Sequence, residues 1–251
     1  MTAGPLLFLR YALPPNERGL CGPADIPALR DHAESGVSDK ELTRLIQGFD
    51  GAWPYLELIA AANRIADPLD ERVVAAYWVG NALLDRVDMA DYGASLEERF
   101  RARSGRGWTS IAAAAPAGAV PHHSCHVFCV YPWTGLLREG RTEPALRVLD
   151  SCRISWGWVI TADPLVVLRR PLIWNDRTGV LGLGAPAPSP ATPGFITGLT
   201  TGEWVSLHWG CVCDRLIPAQ VRALRHYTDR HLRLTRPAGP LAARMAPVRQ
   251  Y

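Results

Sequence analysis

Near residue 150 of this 251-residue chain the apolar residues pass from helical spacing to short alternating runs, and that change constrains the fold more than any other feature. Before it, hydrophobic residues recur at the spacing of amphipathic helices. Asp25 to Glu34 and Ser38 to Phe49 read as two of them, the second opened by Ser38 with Glu41 three residues later in a capping-box pattern. Pro54 starts PYLELIAAANRI, and Asp70 caps ERVVAAYWVGNALLDRV. Both are apolar on most sides, which places them at the centre of a bundle. A Gly- and Ala-rich connector over 104–120 precedes PHHSCHVFCVYPWTGLL, read as one more helix ending near Pro132, and Pro144 starts a short helix through Leu149.

After Cys152 the segments RISWGWVIT, LVVLRR, GVLGL and EWVSLHW are short, rich in β-branched and aromatic residues and broken by DP, ND and TG turn signals. They predict a small sheet or barrel. The proline-rich stretch APAPSPATPG, residues 185–194, is expected outside any strand, because proline cannot donate to a ladder. Pro218 opens a last helix, PAQVRALRHYTDRHL, and the tail after Pro237 is expected to be loosely ordered. The class is α+β, with a helical domain over 1–142 and a β domain with a C-terminal helix over 143–251.

A 48% hydrophobic fraction supplies a core of ordinary size. The net charge of +3 is spread without a long basic run, which argues against nucleic acid as a partner. Charged residues interrupt every hydrophobic run before the roughly 20 residues a bilayer span needs, which argues against a membrane. The opening MTAGPLLFLRYALPP has neither a basic region before its apolar stretch nor a small-residue cleavage site after it, so the expected location is cytoplasmic. The six cysteines (Cys21, Cys125, Cys129, Cys152, Cys211, Cys213) are then expected as thiols.

Three clusters carry candidate chemistry. In EWVSLHWGCVCD, residues 203–214, alternation puts Val205, Leu207 and Trp209 on one face and Trp204, Ser206 and His208 on the other, while Cys211 and Cys213 either chelate a soft metal together or pack separately. In PHHSCHVFC, residues 121–129, helical spacing offers His122, His126 and Cys129 to zinc, iron or nickel, or else packs the cysteines in the bundle. In RYALPPNERGLCGPAD, residues 10–25, Pro14 and Pro15 predict a fixed non-helical turn that presents Cys21, which folding could bring near other sulfurs. No phosphate loop, dinucleotide glycine pattern, G-x-S-x-G elbow or H-E-x-x-H is present.

The C-terminal third resembles the HypC/HupF family of hydrogenase assembly chaperones. The likeness rests on Cys152-Arg-Ile-Ser-Trp-Gly157-Trp-Val and on Gly202-Glu-Trp-Val-Ser-Leu-His208-Trp-Gly210, followed by Leu216 and the helix from Pro218. Trp156 stands where that family has proline, and Cys152 is internal rather than N-terminal. The whole chain is also similar to an actinobacterial group associated with nickel-iron hydrogenase gene clusters. The resemblance implies an OB-like barrel and a maturation factor without turnover. It also implies that Cys152 and His208 hold an iron bearing cyanide and carbon monoxide, with the hydrogenase large-subunit precursor or other maturation proteins as partners. Trp156, Trp158, Trp204 and Trp209 then form an aromatic docking surface. The alternative is a metalloenzyme acting on a small molecule through His122, His126 and Cys129, and a third reading is a metal-free interaction module.

Overall fold

The computed structural model describes residues 3–236, so the tail expectation lies outside the described residues. Helices dominate the first part: α1 (Gly4–Asn16), α2 (Ile26–Ser35), α3 (Lys40–Gln47), α4 (Trp53–Ala62), α5 (Glu71–Trp78), α6 (Met89–Ser104) and α7 (Trp108–Ala114). There follow α8 (His123–Cys125), a π-helical turn over His126–Val130, α9 (Trp133–Arg138) and α10 (Thr142–Cys152). The strands are β1 (Ser155–Ala162), β2 (Leu165–Arg169), β3 (Leu172–Asn175), β4 (Val180–Leu183), β5 (Ala187–Pro190), β6 (Trp204–His208) and β7 (Cys211–Arg215), and α11 (Pro218–Leu234) closes the described chain. The class is α+β. No helix is long and apolar enough to cross a membrane.

Several local expectations are corrected. The cap of α3 is Asp39, which has extended backbone and accepts from Leu42 N at 2.9 Å, rather than Ser38. The segment from Asp70 ends as a helix at Trp78, because Gly80 has φ +97° and a Cβ there would lie 2.2 Å from the Tyr227 ring; a 3-10 turn, Ala82–Arg86, follows. Part of the Ala-rich connector is the helix α7. The single helix expected after Pro121 is broken, since His122 keeps extended backbone and the π turn re-aims the residues after Cys125.

Pro14 and Pro15 do not make a separate turn but lie in the last turn of α1. The proline-rich stretch does contain a strand: β5 pairs antiparallel with β2 through Val166↔Pro190 and Leu168↔Pro188. It tolerates its prolines because it is an edge.

The main sheet is antiparallel along β5-β2-β1-β6-β7, and β3-β4 forms a separate ladder. Among the described residues no ladder closes the sheet into a barrel; its two ends meet at one parallel bridge, Thr192↔Cys211. The largest core cluster joins the helices to the sheet, combining Phe8, Tyr11, Tyr55 and Tyr77 with Ile154, Cys213, Leu216 and Leu224. Beneath the sheet a smaller cluster packs Val159, Val167, Val205, Leu207 and Val212. Strand β6 is therefore covered on both faces.

Candidate metal centre

Alternation along β6 sends Val205 and Leu207 into the small sheet core and Ser206 and His208 toward α1. The Tyr11 and Ser206 hydroxyls lie 2.9 Å apart, and the ring of His208 bonds the Tyr11 carbonyl at 2.7 Å. That carbonyl is available because its helical partner would be Pro15, which has no N–H.

His208 pairs with Cys211, so only Trp209 and Gly210 connect β6 to β7. Both are left-handed, at φ +52° and +77°, the twist that a two-residue hairpin favours. For tryptophan this conformation costs about 1–2 kcal/mol. The strained turn rests on the end of α10, where Trp209 N–H donates to Ser151 O at 2.8 Å. Cys152, the last residue of α10, is thereby held against His208. The Cys152 sulfur and one ring nitrogen each of His208 and His123 lie within 4.8 Å of one another.

The protonation states suit metal ligation. Because a carbonyl only accepts, His208 carries its proton on Nδ1, and Nε2 is left as a buried lone pair with no hydrogen-bond partner. A backbone acceptor on one imidazole nitrogen is the arrangement that orients the other toward a metal. Burial pushes the His208 pKa down to about 4, so the ring is neutral at pH 7. His123 donates from Nε2 to the Cys152 carbonyl at 2.8 Å, which leaves Nδ1, beside the Tyr77 hydroxyl at 3.2 Å, as its basic nitrogen. Burial lowers its pKa too, with neighbouring His208 adding to the effect.

Burial raises the Cys152 thiol to about 12, helped by nearby Cys21. The Trp209 indole sits close enough to oppose that rise, yet its N–H makes no hydrogen bond of normal geometry. Cys152 is therefore a thiol that must release a proton to bind a metal.

These groups face a cavity of about 330 Å³, walled mainly by apolar atoms of Phe49, Tyr77, Trp78, Tyr131, Trp133 and Trp209, with Cys21 also at its edge. Asn16 Nδ2 holds the Cys21 loop through the carbonyls of Cys21 and Pro23, both at 2.8 Å. Gly22, at φ +82°, leaves space that Phe49 fills. Behind Cys152, the Asp150 carboxylate accepts from Arg153 Nε at 3.0 Å, Arg169 Nη1 at 2.9 Å and Leu172 N at 2.9 Å, locking the end of α10 to the sheet.

The remaining candidates do not join this group. His122 caps α8, accepting from Ser124 N at 3.1 Å, so it shares no helical face with His126. His126 lines the cavity but pairs Nδ1 with the Tyr55 hydroxyl at 3.1 Å. Cys129 lies beside Cys125, whose sulfur takes a bond from the Tyr92 hydroxyl, and lines a different cavity. The expected trio of His122, His126 and Cys129 thus does not converge, because the helix starts after His122 and changes pitch at His126.

Cys213 packs in the main core and Cys211 lies over Gly194, so both act as packing residues and neither belongs to a metal-competent group. Among the described residues one other such group exists, His32, Asp39 and Glu41 at the surface; Asp39 is occupied as the α3 cap. The four tryptophans do not make one outer surface. Trp158 is exposed and packs edge-on with Trp204, Trp156 and Trp204 also touch the helical core, and Trp209 lines the cavity.

His123 escaped the sequence reading because periodicity was sought from His122 and His126 on either side of it. Tyr11, Tyr77 and Trp78 read only as helix-core residues. The sole local clue was the Pro14-Pro15 pair, which frees carbonyls in a helix.

A model for a family of unknown function, DUF6390, matches residues 1–239, and the chain belongs to that family. Comparison with curated proteins and with solved structures gives no match.

Proposed function

We propose that this DUF6390 protein is a nickel-iron hydrogenase maturation factor that carries or chaperones the iron fragment bearing cyanide and carbon monoxide toward the large-subunit precursor. The observation that carries the reading is the meeting of the Cys152 sulfur with the unpartnered Nε2 of His208 at the wall of an apolar cavity. A soft thiolate with a neutral imidazole suits a low-spin iron, and a metal is what an oriented, unpartnered imidazole nitrogen accepts. His123 is a third candidate ligand, and binding would cost one of its ring's two contacts, to the Cys152 carbonyl or to the Tyr77 hydroxyl. Iron here is cargo, and its release requires that the ligand set remain incomplete.

The HypC/HupF likeness of the segments around Cys152 and His208 supports the same reading. So does the curled sheet, whose ends meet at Thr192 and Cys211 and which we read as OB-like. Residues 202–210 supply β6 and its turn, and residues 155–159 supply β1, so the two motifs lie on paired strands. Exposed Trp158, beside Trp204, is the aromatic element offered to a partner.

The test is anaerobic purification from a host expressing the hydrogenase assembly genes, followed by infrared spectroscopy and pull-down with the large-subunit precursor. Cyanide and carbonyl stretches that disappear in Cys152→Ala are expected. Folded, iron-loaded protein without those bands overturns the proposal.

A further inference from the structure

His126 keeps one ring nitrogen open at the cavity wall. The residue is 4% exposed, and its Nδ1 lies 3.1 Å from the Tyr55 hydroxyl. Nε2 has no hydrogen-bond partner among the described residues, yet it is not sealed in the interior as the Nε2 atoms of His122 and His208 are. Gly51 leaves the space beside it. Both residues line the cavity, and a Cβ on Gly51 would stand 3.5 Å from Nε2. The Gly51 backbone is not in the left-handed region, so a side chain there would take away room at the nitrogen without straining the chain.

A positive charge stands behind that nitrogen. The Arg99 guanidinium lies 4.3 Å from the centre of the Tyr55 ring and 4.8 Å from that of Phe100, whose ring is in turn 5.9 Å from His126. Arg99 Nη2 donates to the Asp50 and Gly51 carbonyls, both at 3.2 Å, while Nη1 is buried without a partner. Among the described residues no carboxylate pairs with this cation. Burial, with Arg99 adding to it, pushes the His126 pKa down to about 3, so the ring is neutral and can offer one N–H. An accessible N–H backed by an unneutralised cation, in a cavity otherwise walled by apolar atoms, is complementary to an anion on an apolar body.

We propose that the cavity binds a small monocarboxylate with an aromatic or other apolar body, its carboxylate accepting from His126 Nε2–H near Arg99 and its body packing against Phe49, Tyr131 and Trp133. The Tyr55 hydroxyl permits the required tautomer, because it can donate to Nδ1 while the ring carries its proton on Nε2. A single negative charge fits best, since a multiply charged group would leave charge uncompensated against the apolar wall. This site goes beyond the carrier reading and stands without it, because it uses neither Cys152 nor His208.

The experiment titrates the metal-free full chain with benzoate and with benzamide, its neutral counterpart of the same shape, by calorimetry. Benzoate is expected to bind at least about tenfold more tightly, as a hydrogen bond to a charged acceptor is the stronger one. Gly51→Ala, whose methyl would meet Nε2 at an ordinary contact distance, is expected to weaken benzoate about tenfold while leaving the urea midpoint near that of wild type. A second measurement needs no variant: on adding benzoate, the Nε2–H signal of His126 in nitrogen-15-labelled wild type should move downfield. Benzoate that does not bind, benzamide that binds as tightly, a folded Gly51→Ala with wild-type affinity, or binding that leaves the His126 signal in place each overturns this inference. Since no metal is present, none of these outcomes bears on the carrier reading, which the infrared and pull-down tests decide separately.

Discussion

The carbonyl of Tyr11 accepts the Nδ1 proton of His208 at 2.7 Å, although the two residues lie in the first helix and the sixth strand. In an uninterrupted helix that carbonyl would accept from the residue four positions on, here Pro15. A missing N–H in α1 thus fixes the tautomer of a candidate ligand in the sheet. Trp209 N–H bonding Ser151 O completes the alignment from the other side.

Restoring the N–H should disturb the site from a distance. In Pro15→Ala the new donor competes for the Tyr11 carbonyl and loosens His208, so Co(II) affinity should fall about tenfold or more, the range seen when such outer partners of a ligating histidine are lost. The check is a competition titration of wild type and variant against a chelator. Unchanged affinity would show that His208 does not depend on Tyr11.

Removing a ligand should separate the clusters. Cys152→Ala and His208→Ala are expected to lose bound metal, while His126→Ala, whose ring is engaged with Tyr55, should retain it. Elemental analysis after loading and desalting measures this. Metal lost only in His126→Ala would move the site away from Cys152.

Metal affinity should rise with pH. The Cys152 thiol is pushed up to about 12 and His208 is held down at about 4. From about pH 5 to 9, binding therefore displaces one proton, from sulfur, and affinity should climb about tenfold per pH unit. Calorimetry in buffers of different ionisation enthalpy counts that proton. A flat profile would exclude Cys152 as a ligand.

The fold should be sensitive to acid. Burial lowers His122 and His126 to about 3 and His208 to about 4, and it also lowers His123 and His231. The unfolded chain takes up protons below about pH 6.5 while these buried rings stay neutral, so their contribution is full above that pH and is lost as pH falls toward the folded values. Each ring contributes a slope of up to about 1.4 kcal/mol per pH unit. Urea midpoints at pH 7, 6 and 5 should drop steadily, and equal midpoints would contradict the neutral assignment.

Breaking the ionic lock behind Cys152 should cost stability. Arg153 is 1% exposed, and Asp150→Asn removes the carboxylate that pairs with it and with Arg169. Leaving that charge buried without its partner should destabilise by about 3–5 kcal/mol in a denaturant titration. A loss under about 1 kcal/mol would mean that the surrounding carbonyls suffice for Arg153.

Much of the local structure was legible in the sequence. Apolar spacing marked α2 to α5 and α11, and alternation assigned the faces of Val205, Leu207, Ser206 and His208 along β6, because both patterns depend on neighbours a few positions away; it failed at Trp209, where the left-handed turn takes the side chain to the cavity instead of the face of Val205 and Leu207. Where a nearby signal had two readings, the sequence misled. Pro14 and Pro15 looked like a turn but end a helix, and Pro188 and Pro190 looked incompatible with a strand but occupy an edge. The choice depended on which backbone groups needed partners, which is known only once neighbouring elements are in place.

The sequence by itself determined the succession of helices and strands and, through two motifs, the pairing of Cys152 with His208 as candidates. Tertiary structure alone decided that His123 joins them and that His122, His126 and Cys129 separate. The physical reason is range. Periodicity encodes contacts within an element, whereas the site is assembled by a hairpin turn landing on the end of α10 and by a helix carbonyl left free to reach across to the sheet.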